Sequence, residues 1–127
     1  MVGIVLVSHS AELARGLAEL AGQVAGSEVR IEPAGGGPDG GLGTTGDLVE
    51  RAIAQADRGD GVVVLADLGS AILTVRSVLE HENGVRARLA DAPFVEGAVS
   101  AAVIAAAGQP LEEVVRSAEE VRGASKL

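Results

Sequence analysis

Two continuous apolar runs constrain the fold of this chain more than any other feature of its sequence. Val2–Val7 and Val62–Ala66 contain no charged residue, and each ends abruptly in polar side chains: Ser8-His9-Ser10 after the first and Asp67 after the second. A strand that is apolar throughout is typical of a parallel sheet that is covered by helices on both faces. The sequence therefore predicts two central strands of an α/β domain.

Helix-like and strand-like patterns alternate between these two runs. A first helix is predicted to begin at Ser10 and to end at Gly26, because apolar residues recur every three or four positions in between. Its predicted core-facing stripe consists of Leu13, Leu17, Leu20 and Val24. Alternating apolar and charged residues over Glu28–Glu32 then predict a second, less buried strand.

Two more helices are predicted on either side of the second apolar run, and a fourth strand follows them. Thr44 and Asp47 have the spacing of a weak N-terminal capping box, and Asn83-Gly84 marks the end of the third helix. Val85–Leu89 alternates with arginines and predicts an edge strand whose charges face water. The predicted stripes are Val49, Ile53 and Ala56 in the second helix, and Ile72, Val75, Val78 and Leu79 in the third.

The remainder of the chain is predicted to form two helices, the last beginning at Pro110 and ending at Gly123. The segment Gly97–Gly108 carries no charge and is apolar around most of its helical circumference. It fits either a helix buried within the monomer or a contact between two copies, and we expect a homodimer. The stripe of the last helix is Leu111, Val114, Val115, Ala118 and Val121.

The order β-α-β-α-β-α-β-α-α predicts a single domain over residues 1–127 of the α/β class. We expect a three-layer, doubly wound, mainly parallel sheet of strand order 2-1-3-4 with helices on both faces. In such sheets the ligand site lies at the carboxyl ends of the strands, where the winding reverses. His9, Gly35–Gly37 and Asp67–Ser70 would then converge on one site.

Composition excludes several function classes. The net charge of −8 argues against nucleic-acid binding, as does Phe94 being the only aromatic residue. The chain has no cysteine, and its two histidines are far apart, so neither a metal site nor any other cofactor is predicted. The apolar run at the N-terminus is too short for a signal peptide or for membrane insertion, and we expect a cytoplasmic protein.

His9 is the residue on which the functional interpretation depends. It could simply pack or cap, or its ring could be a nucleophile that has one nitrogen held by a neighbour. Asp67 is the candidate neighbour, although it could instead only cap the third helix. His81 lies at the end of a predicted helix, where a cation interacts well with exposed carbonyl groups, so we interpret it as a helix-end residue.

A glycine-rich segment, "AGGGPDGGLGTTGD", follows the second strand. It is neither a GxxxxGK[ST] motif nor a proper GxGxxG fingerprint, so by itself it does not indicate a nucleotide site. Glycine-rich segments are often merely flexible, but bare N–H groups over the switch point could line a phosphate site, together with two helix N-termini. The candidate phosphate-binding residues are Ser10, Gly36, Gly37, Leu68, Gly69, Ser70 and Ala71.

Four stretches resemble the phosphotransferase subunit of bacterial dihydroxyacetone kinase, in the wider family of mannose-type A components of the sugar phosphotransferase system. They occur in the same order over almost the whole chain: "VGIVLVSHSAELARGLAEL", "AGGGPDGGLGTTGD", "VVVLADLGSA" and "APFVEGAVSAAVIAAAG". The "VSHS" and "DLGSA" motifs are the most specific of them.

The resemblance implies that His9 is the phosphorylated histidine, that Asp67 is its partner, and that the turn Leu68–Ala71 faces the phosphoryl group. It further implies that HPr, charged from phosphoenolpyruvate, is the donor. The acceptor would be ADP on the nucleotide-binding subunit of the kinase, and the ATP formed would phosphorylate dihydroxyacetone on a further subunit. Some relatives carry fused HPr-like and enzyme I-like domains; these 127 residues contain none, so we expect separate donors.

There are three alternative functions for a chain of this pattern. A receiver domain phosphorylated on aspartate would need an acidic cluster after the first strand and a lysine late in the sheet, but the chain has Ser8-His9-Ser10 there and Lys126 as its only lysine. A non-catalytic ligand-binding module of the same fold would make His9 incidental. The A component of a mannose-type sugar transporter would share the donor, the histidine and the fold, and the sequence distinguishes it least.

Overall fold

The structure, a computed structural model, describes residues 1–81 and 84–127. Within that part of the chain four strands form one sheet: β1 Gly3–Ser8, β2 Ile31–Gly35, β3 Val62–Ala66 and β4 Ala87–Leu89. The helices are α1 Ala11–Ala25, α2 Gly46–Ala56, α3 Gly69–His81, α4 Phe94–Ala106 and α5 Leu111–Glu120, followed by a short 3-10 turn, Val121–Gly123. All strand pairs are parallel, in the order β2-β1-β3-β4. The predicted α/β class and strand order are confirmed.

Helices cover both faces of the sheet, so that β1 and β3 are buried from end to end. Alternate strand residues enter two separate cores, because successive side chains of a strand point to opposite faces. Ile4, Leu6, Val63 and Leu65 pack against α1, α4 and α5. On the other face, residues such as Val7 and Val64 pack against α2 and α3. The continuous apolar runs are explained by this double coverage.

The second strand is shifted along the chain from its predicted position. Glu28–Glu32 was expected, whereas β2 spans Ile31–Gly35 and includes Pro33. A proline is tolerated here because β2 lies at the edge of the sheet and pairs only with β1. At Gly35 an added Cβ would lie 2.6 Å from the carbonyl oxygen of Ser10, so the end of β2 passes too close to the start of α1 for any side chain.

The buried face of α1 also differs from the predicted stripe. Leu17 is buried together with Ala14 and Ala21. Leu13, Leu20 and Val24 are 46%, 45% and 48% exposed, so the prediction that they face the core is wrong. Small alanines allow α1 to approach the sheet closely, which leaves the larger side chains on the flank of the helix.

The ends of α2 and α3 depart from prediction in smaller ways. The capping box from Thr44 to Asp47 does not form, because the N-cap of α2 is Thr45. The helix α3 ends at His81, whose Nδ1–H donates to the carbonyl oxygen of Ser77 at 2.8 Å, as expected of a helix-end residue. Of the predicted Asn83-Gly84 stop, Asn83 lies outside the described residues.

The apolar helix α4 lies within the monomer, between α1 and α5 and against the sheet. Its buried positions are Gly97, Ala98, Ala101, Ala102 and Ala105. Val95 and Val103 remain 43% and 46% exposed. Much of the apolar circumference of α4 is therefore covered by this chain's own helices.

Candidate active site

His9 and Asp67 lie side by side because their strands are neighbours. Val7 pairs with Ala66 in the register of β1 and β3, and the N–H of Asp67 continues the ladder with a 3.1 Å hydrogen bond to the carbonyl oxygen of Val7. The turns that follow the two strands consequently meet at the carboxyl edge of the sheet. There the Nδ1 atom of His9 is 3.0 Å from Oδ1 of Asp67, and both side chains are mostly buried.

Asp67 accepts further hydrogen bonds that fix its carboxylate. Oδ2 accepts from the hydroxyl of Ser8 at 2.7 Å and from the backbone N–H of His9 at 3.2 Å, while Oδ1 accepts from the N–H of Leu68 at 2.7 Å. Partial burial raises the pKa of Asp67, but the hydrogen bonds from Ser8, His9 and Leu68 together hold that pKa below its usual value. Asp67 is therefore an anion at neutral pH.

The carboxylate of Asp67 determines which ring nitrogen of His9 carries the proton of the neutral ring. An ionised carboxylate only accepts hydrogen bonds, so Nδ1 carries the proton of a neutral ring and Nε2 presents its lone pair. Nε2 faces the hydroxyl of Ser70, with which it is in close contact. His9 can thus act as a nucleophile through Nε2 at the mouth of the site.

The first turn of α3 provides hydrogen-bond donors next to Nε2. The N–H groups of Gly69, Ser70 and Ala71 precede the first bond of the helix, which runs from the N–H of Ile72 to the carbonyl oxygen of Leu68. Such N–H groups and the helix dipole favour an anion. The N–H of Leu68, by contrast, is already bonded to Asp67.

Several N–H groups of the glycine loop, residues 36–45, are bonded within the protein. Gly36 donates to the carbonyl oxygen of Ser8 at 3.3 Å, and Gly37 donates to that of Gly41 at 2.8 Å. The loop lies close to the site, because the N–H of Gly43 donates to the carbonyl oxygen of His9 at 2.9 Å. In this conformation the loop frames the site without offering the N–H groups of Gly36 and Gly37 to a ligand.

Ser10 has a structural role at the start of α1. Its N–H donates to the hydroxyl of Ser8 at 3.0 Å, and its own hydroxyl caps the helix by accepting from the N–H of Leu13 at 3.2 Å. The N–H of Ser10 is therefore engaged within the protein, while its hydroxyl, which only accepts in this cap, keeps a proton to donate. Ser8 itself was not among the predicted site residues, although it is fully buried and bonds to Asp67. The sequence feature that could have identified Ser8 is its position as the polar residue at the end of an otherwise apolar strand.

Three exposed leucines belong to the segments that form the site. Leu42 lies in the glycine loop, Leu68 follows Asp67 and Leu73 lies in α3, and they are 83%, 61% and 67% exposed. A groove of about 490 Å³ beside the loop is lined by Arg15 and Leu42 among others.

Neither a metal centre nor a membrane span is found in the part of the chain that the structure describes. Over residues 1–81 and 84–127 no three His, Asp or Glu side chains cluster as metal ligands would. No helix in the same ranges is long and apolar enough to cross a membrane. The polar groups that the structure brings together at the site are the side chains of His9, Asp67 and Ser70.

Comparison with known families identifies the wider group. The family model described as the fructose IIA component of the phosphotransferase system matches residues 3–115. The chain belongs to this family. Membership agrees with the resemblance to mannose-type A components drawn from "VSHS" and "DLGSA", and the family match spans both His9 and Asp67.

Among curated members, the chain is similar to phosphoryl donor subunits of dihydroxyacetone kinases. It is 40% identical to the phosphoryl donor subunit of PEP-dependent dihydroxyacetone kinase 2 from Listeria innocua, over 81% of this chain and 85% of that protein. It is 34% identical to the phosphotransferase subunit of the PTS-dependent kinase from Lactococcus lactis, over 94% of each chain. The Escherichia coli K12 donor subunit is 39% identical, but the chain spans only about a quarter (26%) of its length.

Solved structures share the fold of this family member. A crystal structure of EF1359, a protein of unknown function, superposes with a TM-score of 0.83 at 30% identity, covering 94% of this chain and 95% of that one. A sigma-54 interaction domain protein from Enterococcus faecalis has a TM-score of 0.72 at 18% identity, covering 95% and 90%. The second likeness concerns the fold alone.

Proposed function

We propose that this protein is a cytoplasmic phosphohistidine carrier, a phosphotransferase subunit formed by one domain over residues 1–127. In this proposal His9 accepts a phosphoryl group from HPr and passes it to ADP on the nucleotide-binding subunit of dihydroxyacetone kinase. The hydrogen bond between the Asp67 carboxylate and Nδ1 of His9 carries the proposal, because it leaves Nε2 as the nucleophile. The similarity to phosphoryl donor subunits supports the choice of partners.

Transfer to His9 exchanges one phosphorus–nitrogen bond for another. The lone pair of Nε2 attacks phosphorus, and the bond to the donor's histidine breaks with its electron pair returning to the donor. The proton on Nδ1 stays in place, so the ring of phosphorylated His9 becomes positively charged. The Asp67 carboxylate, 3.0 Å from Nδ1, stabilises that charge.

Ser70 and the start of α3 would hold the phosphoryl oxygens. The Ser70 hydroxyl contacts Nε2 in the free protein and would turn to a phosphoryl oxygen as the new bond forms. The N–H groups of Gly69 and Ala71 lie in the same first turn, where the helix dipole favours negative charge. Charge that develops during transfer would therefore meet donors that are already positioned.

Donor and acceptor must reach His9 in turn. The side chain of His9 is 23% exposed, and the segments that form the site carry the exposed leucines Leu42, Leu68 and Leu73, which a partner could cover. The acceptor complex in this proposal consists of the ADP-binding and dihydroxyacetone-binding subunits of the kinase.

The experiment that tests the carrier role is labelling from phosphoenolpyruvate through enzyme I and HPr. We expect an acid-labile, base-stable phosphoramidate on the wild-type protein and on His81→Ala, and no label on His9→Ala. His81 is the matched control, because it is the other histidine of the chain and ends α3 on the surface. Undiminished labelling of His9→Ala would refute the carrier role.

A second acceptor is the transport component of a mannose-type sugar system, favoured by the family description as a fructose IIA component. An experiment that mixes the labelled protein with the kinase subunits, ADP and dihydroxyacetone distinguishes between the two acceptors. We expect consumption of dihydroxyacetone that depends on this protein. A labelled protein that stays phosphorylated in that mixture would point to the transporter instead.

A further inference from the structure

A pair of hydroxyl groups joins the glycine loop to α3 beside His9. The Oγ1 atoms of Thr44 and Thr74 lie 2.8 Å apart, and Oγ1 of Thr74 lies 3.1 Å from the carbonyl oxygen of Ser70. A threonine hydroxyl has one proton to donate. Since the Ser70 carbonyl can only accept, Thr74 donates to it and Thr44 donates to Thr74. The bridge therefore runs from the loop to the residue whose hydroxyl contacts Nε2 of His9.

The contact between Thr44 and Thr74 is not explained by local helix structure. A threonine inside a helix commonly bonds to the carbonyl four residues earlier, which accounts for the bond from Thr74 to Ser70. It does not account for Thr44, which has the sequence position of a helix cap yet does not cap α2. Its hydroxyl instead makes a tertiary contact across 30 residues of chain.

The glycine loop needs attachments because its backbone is intrinsically free. Gly36, Gly40 and Gly43 have φ values of +93°, +84° and +139°, and ordered glycine loses more conformational freedom than any other residue. Gly36 and Gly43 attach the loop to the end of β1. The bridge between Thr44 and Thr74 attaches it to the opposite wall of the site, the first two turns of α3.

We propose that Thr74, acting with Thr44, is a positioning residue for phosphoryl transfer at His9. The bridge holds the loop against α3, so that the first turn of the helix and the Ser70 hydroxyl keep their arrangement while the phosphoryl group arrives. Positioned donors stabilise developing charge without reorganising at the moment of reaction. Thr74 does not touch the reacting atoms, and this inference rests on the proposed carrier function.

The kinetic test uses valine, which keeps the shape of threonine and removes the hydroxyl. We expect Thr44→Val, which removes one hydrogen bond, to lower kcat/KM for phosphorylated HPr about fivefold. Thr74→Val also removes the bond to the Ser70 carbonyl, so we expect it to lower kcat/KM at least as much. The double variant should be no slower than Thr74→Val alone, because Thr44→Val breaks only a bond that Thr74→Val already removes. Thr74→Ser, which keeps the hydroxyl, should restore transfer.

Thr45→Val is the matched control for these variants. Thr45 lies next to Thr44 in the same loop, but its hydroxyl donates to the carbonyl oxygen of Gly36 at 3.3 Å rather than to α3. We expect transfer to Thr45→Val at close to the wild-type rate. Wild-type transfer to Thr74→Val, or effects of the two single substitutions that multiply in the double variant, would overturn the proposal.

Amide hydrogen exchange of residues 40–45 tests the bridge without any phosphorylation. We expect faster exchange there in Thr44→Val and Thr74→Val than in Thr45→Val. Unchanged exchange in the two bridge variants would refute the bridge itself. Absence of label on the wild-type protein would refute the carrier function, while the exchange result would still decide whether the bridge holds the loop.

Discussion

Replacing Asp67 with asparagine keeps the shape of the side chain and removes its charge. The two carboxylate oxygens accept hydrogen bonds from Ser8, from two groups of His9 and from Leu68. An amide offers one acceptor oxygen and one NH₂ donor in their place. If the NH₂ group takes the Oδ1 position, the backbone N–H of Leu68 meets a donor instead of an acceptor. If it takes the Oδ2 position, the backbone N–H of His9 meets a donor. One backbone N–H loses its partner in either orientation.

The effect of Asp67→Asn on stability follows from that lost partner. An unsatisfied buried N–H destabilises a protein by about 1–3 kcal/mol, and water reaches this partly exposed site, so we expect about 1 kcal/mol. In a domain of this size that corresponds to a decrease in Tm of about 3–5 °C. A side chain that only capped α3 would be replaced by asparagine with almost no loss.

The effect on phosphoryl transfer should be far larger. Asparagine no longer holds the proton on Nδ1 of His9 and no longer balances the positive charge of the phosphorylated ring. In a Ser-His-Asp triad, replacing the orienting aspartate by asparagine lowers kcat about ten-thousandfold. We expect Asp67→Asn to slow transfer from phosphorylated HPr about a hundredfold or more.

The assay is rapid-quench labelling from phosphorylated HPr in both directions, with thermal unfolding measured on the same samples. Asp57→Asn is the matched control, because the Asp57 carboxylate accepts only a turn hydrogen bond, from the N–H of Gly59, at the opposite end of the sheet. Wild-type kinetics for Asp67→Asn would show that Asp67 is structural and would refute this account of the site.

The difference in stability between the wild type and Asp67→Asn should depend on pH. The pKa of Asp67 is lowered in the folded protein, so its carboxylate contributes stability above the ordinary aspartate pKa of about 4 and loses that contribution as the pH falls through the folded value. The difference in unfolding free energy between the wild type and Asp67→Asn should therefore shrink below about pH 4. A difference that grows in acid would contradict the sign of the shift.

Two further predictions concern the scaffold. Gly3→Ala should lower the free energy of unfolding in urea by about 1–3 kcal/mol, because the new Cβ would overlap the carbonyl oxygen of Ala56. Gly16→Ala is the control: there is open space around Gly16, so this substitution should leave stability unchanged or raise it. We expect light scattering at micromolar concentration to give the mass of a homodimer, and a monomeric mass would refute this. The candidate contacts are two exposed apolar side chains, Leu20 on α1 and Val103 on α4.

The sequence by itself determined the central sheet and the meeting of His9 with Asp67. Apolar runs as continuous as Val2–Val7 and Val62–Ala66 have one stable environment in a small domain, a sheet covered on both faces. Once those strands are parallel neighbours, the residues that follow them must share an edge of the sheet. Strand alternation alone then explains why the two cores contain alternate residues.

Only the tertiary structure decided which face of α1 is buried and which residues form β2. The stripe of α1 was misassigned because helical periodicity fixes a spacing but not the rotation of the helix, which here is set by close packing of Ala14 and Ala21. The second strand was displaced because its position depends on its register with β1, in which Ile4 pairs with Ile31.

The same distinction holds within the site. A glycine-rich sequence predicts that backbone N–H groups can approach a ligand, but not whether the protein's own carbonyl groups already bind them. The N–H of Gly36 is bonded to the end of β1, and the hydroxyl of Thr44 is bonded to Thr74 on α3. Hydrogen bonds between residues far apart in the chain depend on distances that no local pattern contains, so only the folded structure could assign these partners.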